Sequence, residues 1–152
     1  MQRLDEARGF TVMELLVVAG ALGLLATGAA LGWARLESVF RLDAATHALA
    51  ADLHDARVLA IASAARARLV FARGAASYRV ERADDAGTFH LTALRALPRG
   101  VLIADANSSG DLVFSPRGVA ENGTVVLVDR RGRRATLRLN QRGRVTIERG
   151  RT

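Results

Sequence analysis

Residues 8–34 read RGFTVMELLVVAGALGLLATGAALGWA, and the reading of this stretch decides what the rest of the chain can be. From Leu15 to Ala34 there are 20 residues without a charge. That is about the length a helix needs to cross the hydrocarbon core of a bilayer. Glu14 stands at the front edge of the run. A carboxylate in a membrane costs roughly 2.5–3.5 kcal/mol at the centre and less near the edge, so Glu14 calls for a partner. Gly20, Gly23, Gly28 and Gly32 punctuate the run. Small residues let membrane helices approach closely, and each loosens a helix in water by about 1 kcal/mol.

Outward from this segment, about 118 of the 152 residues remain for a folded body, enough for one small domain with a core. The chain has no cysteine, which excludes disulfides and thiolate metal sites. Aromatics make up 5% of the residues, so Leu, Val, Ile and Ala must build the core. All 22 basic residues are arginine, and the net charge is +7. Residues 35–129 hold 11 Arg and 11 Asp or Glu, whereas residues 130–152 hold nine Arg against the single acid Glu148. The body is neutral and the C-terminal end strongly basic.

Three readings compete for residues 1–34. A secretory signal has an apolar stretch of about 7–15 residues before its cleavage site, shorter than this one. A plain membrane anchor fits the length but leaves Glu14 and the run Arg8-Gly9-Phe10-Thr11 without a role. The third reading uses all of them: Gly9, Phe10 and Glu14, followed by Leu15-Leu16, resemble a type IV prepilin leader. The resemblance implies that a membrane-embedded prepilin peptidase cuts after Gly9. It also implies that Phe10 becomes the N-methylated first residue of a fibre subunit. The leader departs from the family in carrying Asp5 and Glu6, which cancel Arg3 and Arg8. In a fibre of stacked N-terminal helices, the Glu14 carboxylate would face the new amine of a neighbour's Phe10. Opposite charges in a low-dielectric bundle offset each other's desolvation, and the pair would set the axial register.

Behind the apolar run, Val39, Leu42, Thr46, Leu49, Leu53, Ala56 and Ala60 recur at spacings of three and four, one apolar stripe on a helix. The expected helix runs from about Phe10 to about Ala64. From Ala67 the period becomes two. The expected strands are Arg68–Arg73, Ser77–Arg82, Thr88–Leu94, Val101–Ala104, Leu112–Ser115, Thr124–Asp129, Ala135–Asn140 and Arg144–Arg149, separated by glycine-bearing turns. One long helix followed by short antiparallel strands makes an α+β fold in which sheet covers the helix stripe.

Three blocks narrow the resemblance. Ala56-Arg57-Val58-Leu59-Ala60-Ile61 is similar to the "AR-x-x-AI" stretch of the GspH/FimT group of minor pilins and pseudopilins. Phe114-Ser115-Pro116-Arg117-Gly118 with Asn122-Gly123-Thr124-Val125, and Leu139-Asn140-Gln141-Arg142-Gly143-Arg144-Val145, resemble that group's later blocks. The resemblance implies a pilin-like fold, with residues 1–9 as leader and 10–34 as the membrane-spanning and assembly half of the helix. Residues 35–152 would then form a periplasmic domain. It further implies a single-pass subunit of the bacterial inner membrane. Its partners would be the peptidase and other pilins, with no small-molecule substrate, and its fibre a type II secretion pseudopilus or a type IV pilus.

The basic end raises an alternative. On a hairpin turning through Gln141-Arg142-Gly143, Arg138 and Arg144 share one exposed face. Arg142 sits at the turn, Arg134 joins the preceding turn, and Arg149 and Arg151 extend the basic patch into the tail. Such a patch attracts polyanions through phosphate contacts. FimT-type members of the group are linked to DNA uptake through a basic C-terminal Gly-Arg-x-Arg pattern. Here Gly143-Arg144-Val145-Thr146 carries Thr in place of the second Arg. No aromatic residue follows Phe114, so any DNA contact would be led by phosphate rather than base stacking. The opposing reading is a solvated tail or a contact with an acidic neighbouring subunit.

Two further constellations read as ordinary structure. Asp105 to Asp111 opens like a calcium loop, but Pro116 stands where its bidentate Glu belongs, and a turn between strands accounts for the same residues. His47 and His54 are seven apart on the helix, too far for one ligand pair. No catalytic dyad, phosphate loop or cofactor motif is present in the sequence, and the expectation is a non-enzyme without metal or cofactor.

Overall fold

The computed structural model describes residues 11–107 and 109–150, with side chains for all of these except 29–38. The expectations for Gly9, Phe10 and Arg151 lie outside the described residues. Among the described residues the elements are one helix, α1 (Val12–Ala62), and eight strands: β1 (Ala67–Phe71), β2 (Ser77–Ala83), β3 (Phe89–Ala96), β4 (Val101–Ala106), β5 (Asp111–Phe114), β6 (Gly123–Asp129), β7 (Arg134–Leu139) and β8 (Val145–Gly150). All eight expected strands are present, with ends shifted by a residue or two. The chain divides between Glu37 and Ser38 into two compact units.

The first unit is helical from Val12. Thr11 caps it: its hydroxyl oxygen accepts a hydrogen bond from the Glu14 N–H at 3.2 Å, which satisfies a donor that the first helical turn leaves open. Val12, Met13, Leu16, Leu24 and Leu25 are all exposed. The Thr27 hydroxyl donates back to the Gly23 and Leu24 carbonyls at 3.0 and 2.9 Å, so the polar side chain of this stretch is satisfied within the helix. A Cβ built on Gly20, Gly23 or Gly28 would meet nothing within 4 Å. Among the described residues no helix is long and apolar enough to cross a membrane. The side chains of residues 29–34, which close the uncharged run, lie outside those described.

In the second unit the helix buries Leu42, Ala45, Thr46, Leu49, Leu53, Ala56 and Ala60. Two members of the stripe differ from expectation. Val39 is 41% exposed, whereas Ala45 is buried; the covered stripe begins one turn later than the spacing suggested. Thr46 is tolerated in the core because its hydroxyl donates to the Leu42 carbonyl at 2.7 Å. The helix ends at Ala62 rather than Ala64. The reversal is made at Ala64 with φ +49°, a conformation usually left to glycine.

The strands form two antiparallel four-stranded sheets, ordered β3-β2-β1-β5 and β4-β6-β7-β8. Alternate residues point inward: Leu69, Phe71, Tyr78 and Leu112 from the first sheet, and Ile103, Val125, Leu127 and Leu137 from the second. They join the helix stripe in one core. On the outer face of the first sheet, Arg68 bridges Glu81 at 2.7 Å and Asp111 at 3.3 Å and lies 3.9 Å over the Phe89 ring. At this cluster an arginine and two acids of the neutral segment cancel in contact as well as in number.

Candidate assembly site and basic surfaces

Glu14 is the described member of the predicted assembly triplet. It is exposed in the first turn of α1, where a carboxylate also complements the helix dipole. The sequence reading did not assign Thr11 a role. The signal was present: Thr11-Val12-Met13-Glu14 has the S/T-x-x-E spacing of a capping box. The cap holds the backbone on which Glu14 is presented.

The arginines of residues 130–150 divide between two ends of one hairpin. Strands β7 and β8 pair from Arg134↔Gly150 to Leu139↔Val145. Six residues at about 3.4 Å each set the hairpin's ends about 20 Å apart. Arg130, Arg131, Arg133 and Arg134 lie at the open end and Arg142 and Arg144 at the turn. Arg138 lies between them and pairs with Glu148 at 3.4 Å across the strands. Arg149 does not share the face of Arg138. It stands opposite the buried Ala135 in the register, and its guanidinium reaches Asp43 of α1 at 3.1 Å.

At the turn end, Asn140 organises the reversal. Its side-chain oxygen accepts the Arg142 and Arg144 N–H groups at 3.1 and 2.9 Å, leaving both side chains exposed. Arg57 of α1 fills the space beneath. Its Nε donates to the Gly118 carbonyl at 3.0 Å. A Cβ on Gly143 would come within 2.8 Å of the Arg57 Cδ, and one on Gly118 within 2.8 Å of the Ile61 Cδ1. Both glycines have positive φ, +76° at Gly118 and +73° at Gly143. The Ala120 N–H donates to the Gln141 carbonyl at 3.0 Å, tying the two turns together. The sequence blocks around Arg57, Gly118 and Gly143 therefore converge on one packed junction.

At the open end, the β6–β7 turn is built on Asp129. Its Oδ1 accepts the Arg131 and Arg133 N–H groups at 2.9 and 3.0 Å, and its Oδ2 accepts the Arg133 Nε at 2.8 Å. Burial pushes the Asp129 carboxyl upward, but the Arg133 side chain and the two N–H groups outweigh it and hold the group below the usual carboxylate range. Beside this turn is a pocket of about 190 Å³ lined by Arg41, Arg99, Gly100, Val101, Asp129, Arg130 and Arg131. The pairing Val101↔Asp129 brings the β3–β4 and β6–β7 turns together. Arg41 Nη1 donates to the Arg99 carbonyl at 3.3 Å. The sequence reading missed Arg99 and Arg41 because both fall in the neutral segment.

The calcium-like stretch is engaged by the protein. Asp105 pairs with Arg73 and Asp111 with Arg68. Asn107 donates to the Asn122 carbonyl at 3.2 Å and accepts the Thr124 N–H at 3.1 Å. His47 and His54 are exposed on α1.

A family model described as Type II transport protein GspH matches residues 45–143. No curated protein sequence matches the chain. Among solved structures, the chain is similar to the minor pseudopilin EpsH from the type 2 secretion system of Vibrio cholerae. The TM-score is 0.59 at 10% identity, over 72% of this chain and 97% of that one. It is also similar to the type IV minor pilin FimU of Pseudomonas aeruginosa, with a TM-score of 0.56 at 18% identity, over 70% of this chain and 87% of that one. At these identities the likeness is one of fold: a helix packed on antiparallel sheets, the expected α+β, pilin-like arrangement.

Proposed function

Since the chain belongs to the GspH family of type II transport proteins, a family of structural fibre subunits rather than enzymes, we propose that it is a minor pseudopilin or minor pilin of the bacterial inner membrane. The uncharged run Leu15–Ala34 is the single-pass membrane segment, and residues 35–152 form the periplasmic domain. Prepilin peptidase cuts after Gly9, and Phe10 becomes the methylated N-terminus. Glu14 then meets the Phe10 amine of a neighbouring pilin in a type II secretion pseudopilus or type IV pilus. The observation that carries this reading is Glu14, presented on a capped first turn at the edge of the uncharged run. Intact-mass measurement of the membrane-extracted protein is expected to show loss of residues 1–9 and one methyl group. Replacing Glu14 by Ala is expected to leave the protein membrane-bound but absent from sheared fibres. An intact Met1, or normal incorporation of Glu14→Ala, would overturn the proposal.

A second reading rests on the exposed Arg142 and Arg144 at the β7–β8 turn: a FimT-like subunit that holds DNA by its phosphates during natural transformation. Arg138 lies along β7 toward this surface, whereas Arg134 stands at the opposite end of the hairpin and Arg149 faces Asp43. Each arginine on a phosphate contributes about 0.9 to the salt slope of duplex binding. Changing Arg142 and Arg144 to Ala is expected to flatten that slope by about 1.8. No retardation of duplex DNA at low salt would exclude this reading.

A further inference from the structure

The pocket at the open end of the hairpin has features that fibre assembly and DNA capture do not use. The second unit begins at Ser38, and Arg41 follows within one helical turn. The pocket therefore lies at the end of the unit where its chain enters. Its lining brings together four arginines, Arg41, Arg99, Arg130 and Arg131, from three separate parts of the chain. Among the described residues the one carboxylate in the lining is Asp129, which is taken up by Arg133 and two backbone N–H groups. Neither Arg99 nor Arg130 belongs to any ion pair among the described residues.

The guanidinium of Arg130 is also positioned. Gly100 has φ +85°, and a Cβ there would lie 3.1 Å from the Arg130 Nε and 3.2 Å from its Cδ. The missing side chain lets Arg130 lie along the β3–β4 turn, and Arg99, one residue before Gly100, lines the same pocket. Arginines lining one pocket are suited to phosphate oxygens, which a guanidinium binds through paired N–H donors. The sequence immediately ahead of this unit, Leu15–Ala34, is the proposed membrane segment, with only 35–37 between it and Ser38.

We propose that this pocket binds the phosphate of an anionic phospholipid headgroup, and so seats the periplasmic unit on the bilayer before the subunit enters a fibre. The inference rests on the membrane reading of Leu15–Ala34. Anionic headgroups attract arginines held at the surface, by about fivefold in affinity for each.

The test uses the full chain in nanodiscs of equal phosphatidylglycerol and phosphatidylcholine, with native mass spectrometry of the lipids that stay bound. The chain is expected to retain phosphatidylglycerol over phosphatidylcholine. The double change Arg99→Gln with Arg130→Gln, confined to exposed side chains, is expected to lower that preference by roughly fivefold per arginine. Arg142→Gln with Arg144→Gln, at the opposite end, is expected to leave it unchanged. An equal loss in both doubles, or displacement of the lipid by millimolar inorganic phosphate, would overturn the inference in favour of bulk charge or a free-anion site. Alkaline carbonate extraction of native membranes separates the two levels. A chain that washes out overturns the membrane reading and this inference with it. A retained chain without lipid preference overturns this inference alone.

Discussion

The two ends of the β7–β8 hairpin are both rich in arginine, yet they are built on opposite principles. At the turn end, arginine is used from inside. Arg57 lies beneath Gly118 and Gly143, is bonded to a main-chain carbonyl, and leaves Arg142 and Arg144 exposed above it. At the open end a buried carboxylate, Asp129, holds the turn together, and the arginines around it converge on a pocket. The turn end depends on close packing around glycines; the open end depends on charge. The same residue type therefore supports steric fit in one place and electrostatics in the other.

That contrast can be broken by substitution, and the largest effect is expected at the turn end. Gly143→Ala combines a positive φ with a Cβ 2.8 Å from the Arg57 Cδ, and is expected to cost about 3 kcal/mol in urea titrations of the detergent-solubilised chain. Arg57→Ala in the same background should recover part of it, because the clash disappears. Insensitivity to Gly143→Ala would remove the packing account.

Next in size is Asp129→Asn, expected to cost about 2 kcal/mol at neutral pH through its charge-assisted hydrogen bonds. The folded carboxyl is held below its unfolded value near 4. Its contribution is therefore present above about pH 4 and fades as the pH falls through the lower, folded value. Wild type and Asp129→Asn should converge in stability on acidification, whereas the Gly143→Ala deficit should persist.

Gly100→Ala is expected to cost only about 1 kcal/mol, since the atoms it meets belong to an exposed arginine that can swing away. Its sharper readout is the headgroup preference, which should fall as Arg130 moves. The smallest effect is reserved for Glu148→Gln. The Arg138–Glu148 pair is more than half exposed on both sides, and its loss should change stability by less than about 0.5 kcal/mol.

Much of the architecture was legible in local pattern. Helix periodicity marked the stripe from Leu42 to Ala60, and alternation with turn glycines marked every strand. What was not legible depended on pairing. The end of α1 at Ala62 carried no glycine or proline signal, because Ala64 takes up the left-handed conformation itself. Arg130–Arg134 and Arg142–Arg144 are neighbours in sequence, but the hairpin carries them to opposite ends. Arg149 looked like part of the same surface, and the β7–β8 register turns it toward Asp43 instead. Arg99 joins the basic pocket only because Val101 pairs with Asp129. Strand register is a long-range property, so charge counted along the chain finds the total and misses the partition. The cap at Thr11, which the reading passed over, rests by contrast on a fixed local spacing that the sequence displays directly.

The glycines of the first unit have a consequence beyond their own helix. Among the described residues nothing lies within 4 Å of a Cβ built at Gly20, Gly23 or Gly28, while alanine at each would firm the helix in water by about 1 kcal/mol. A solitary copy is therefore an unfinished object, softer than its fold demands. In the fibre reading those three bare patches are where a neighbouring helix could be laid close enough to touch main chain.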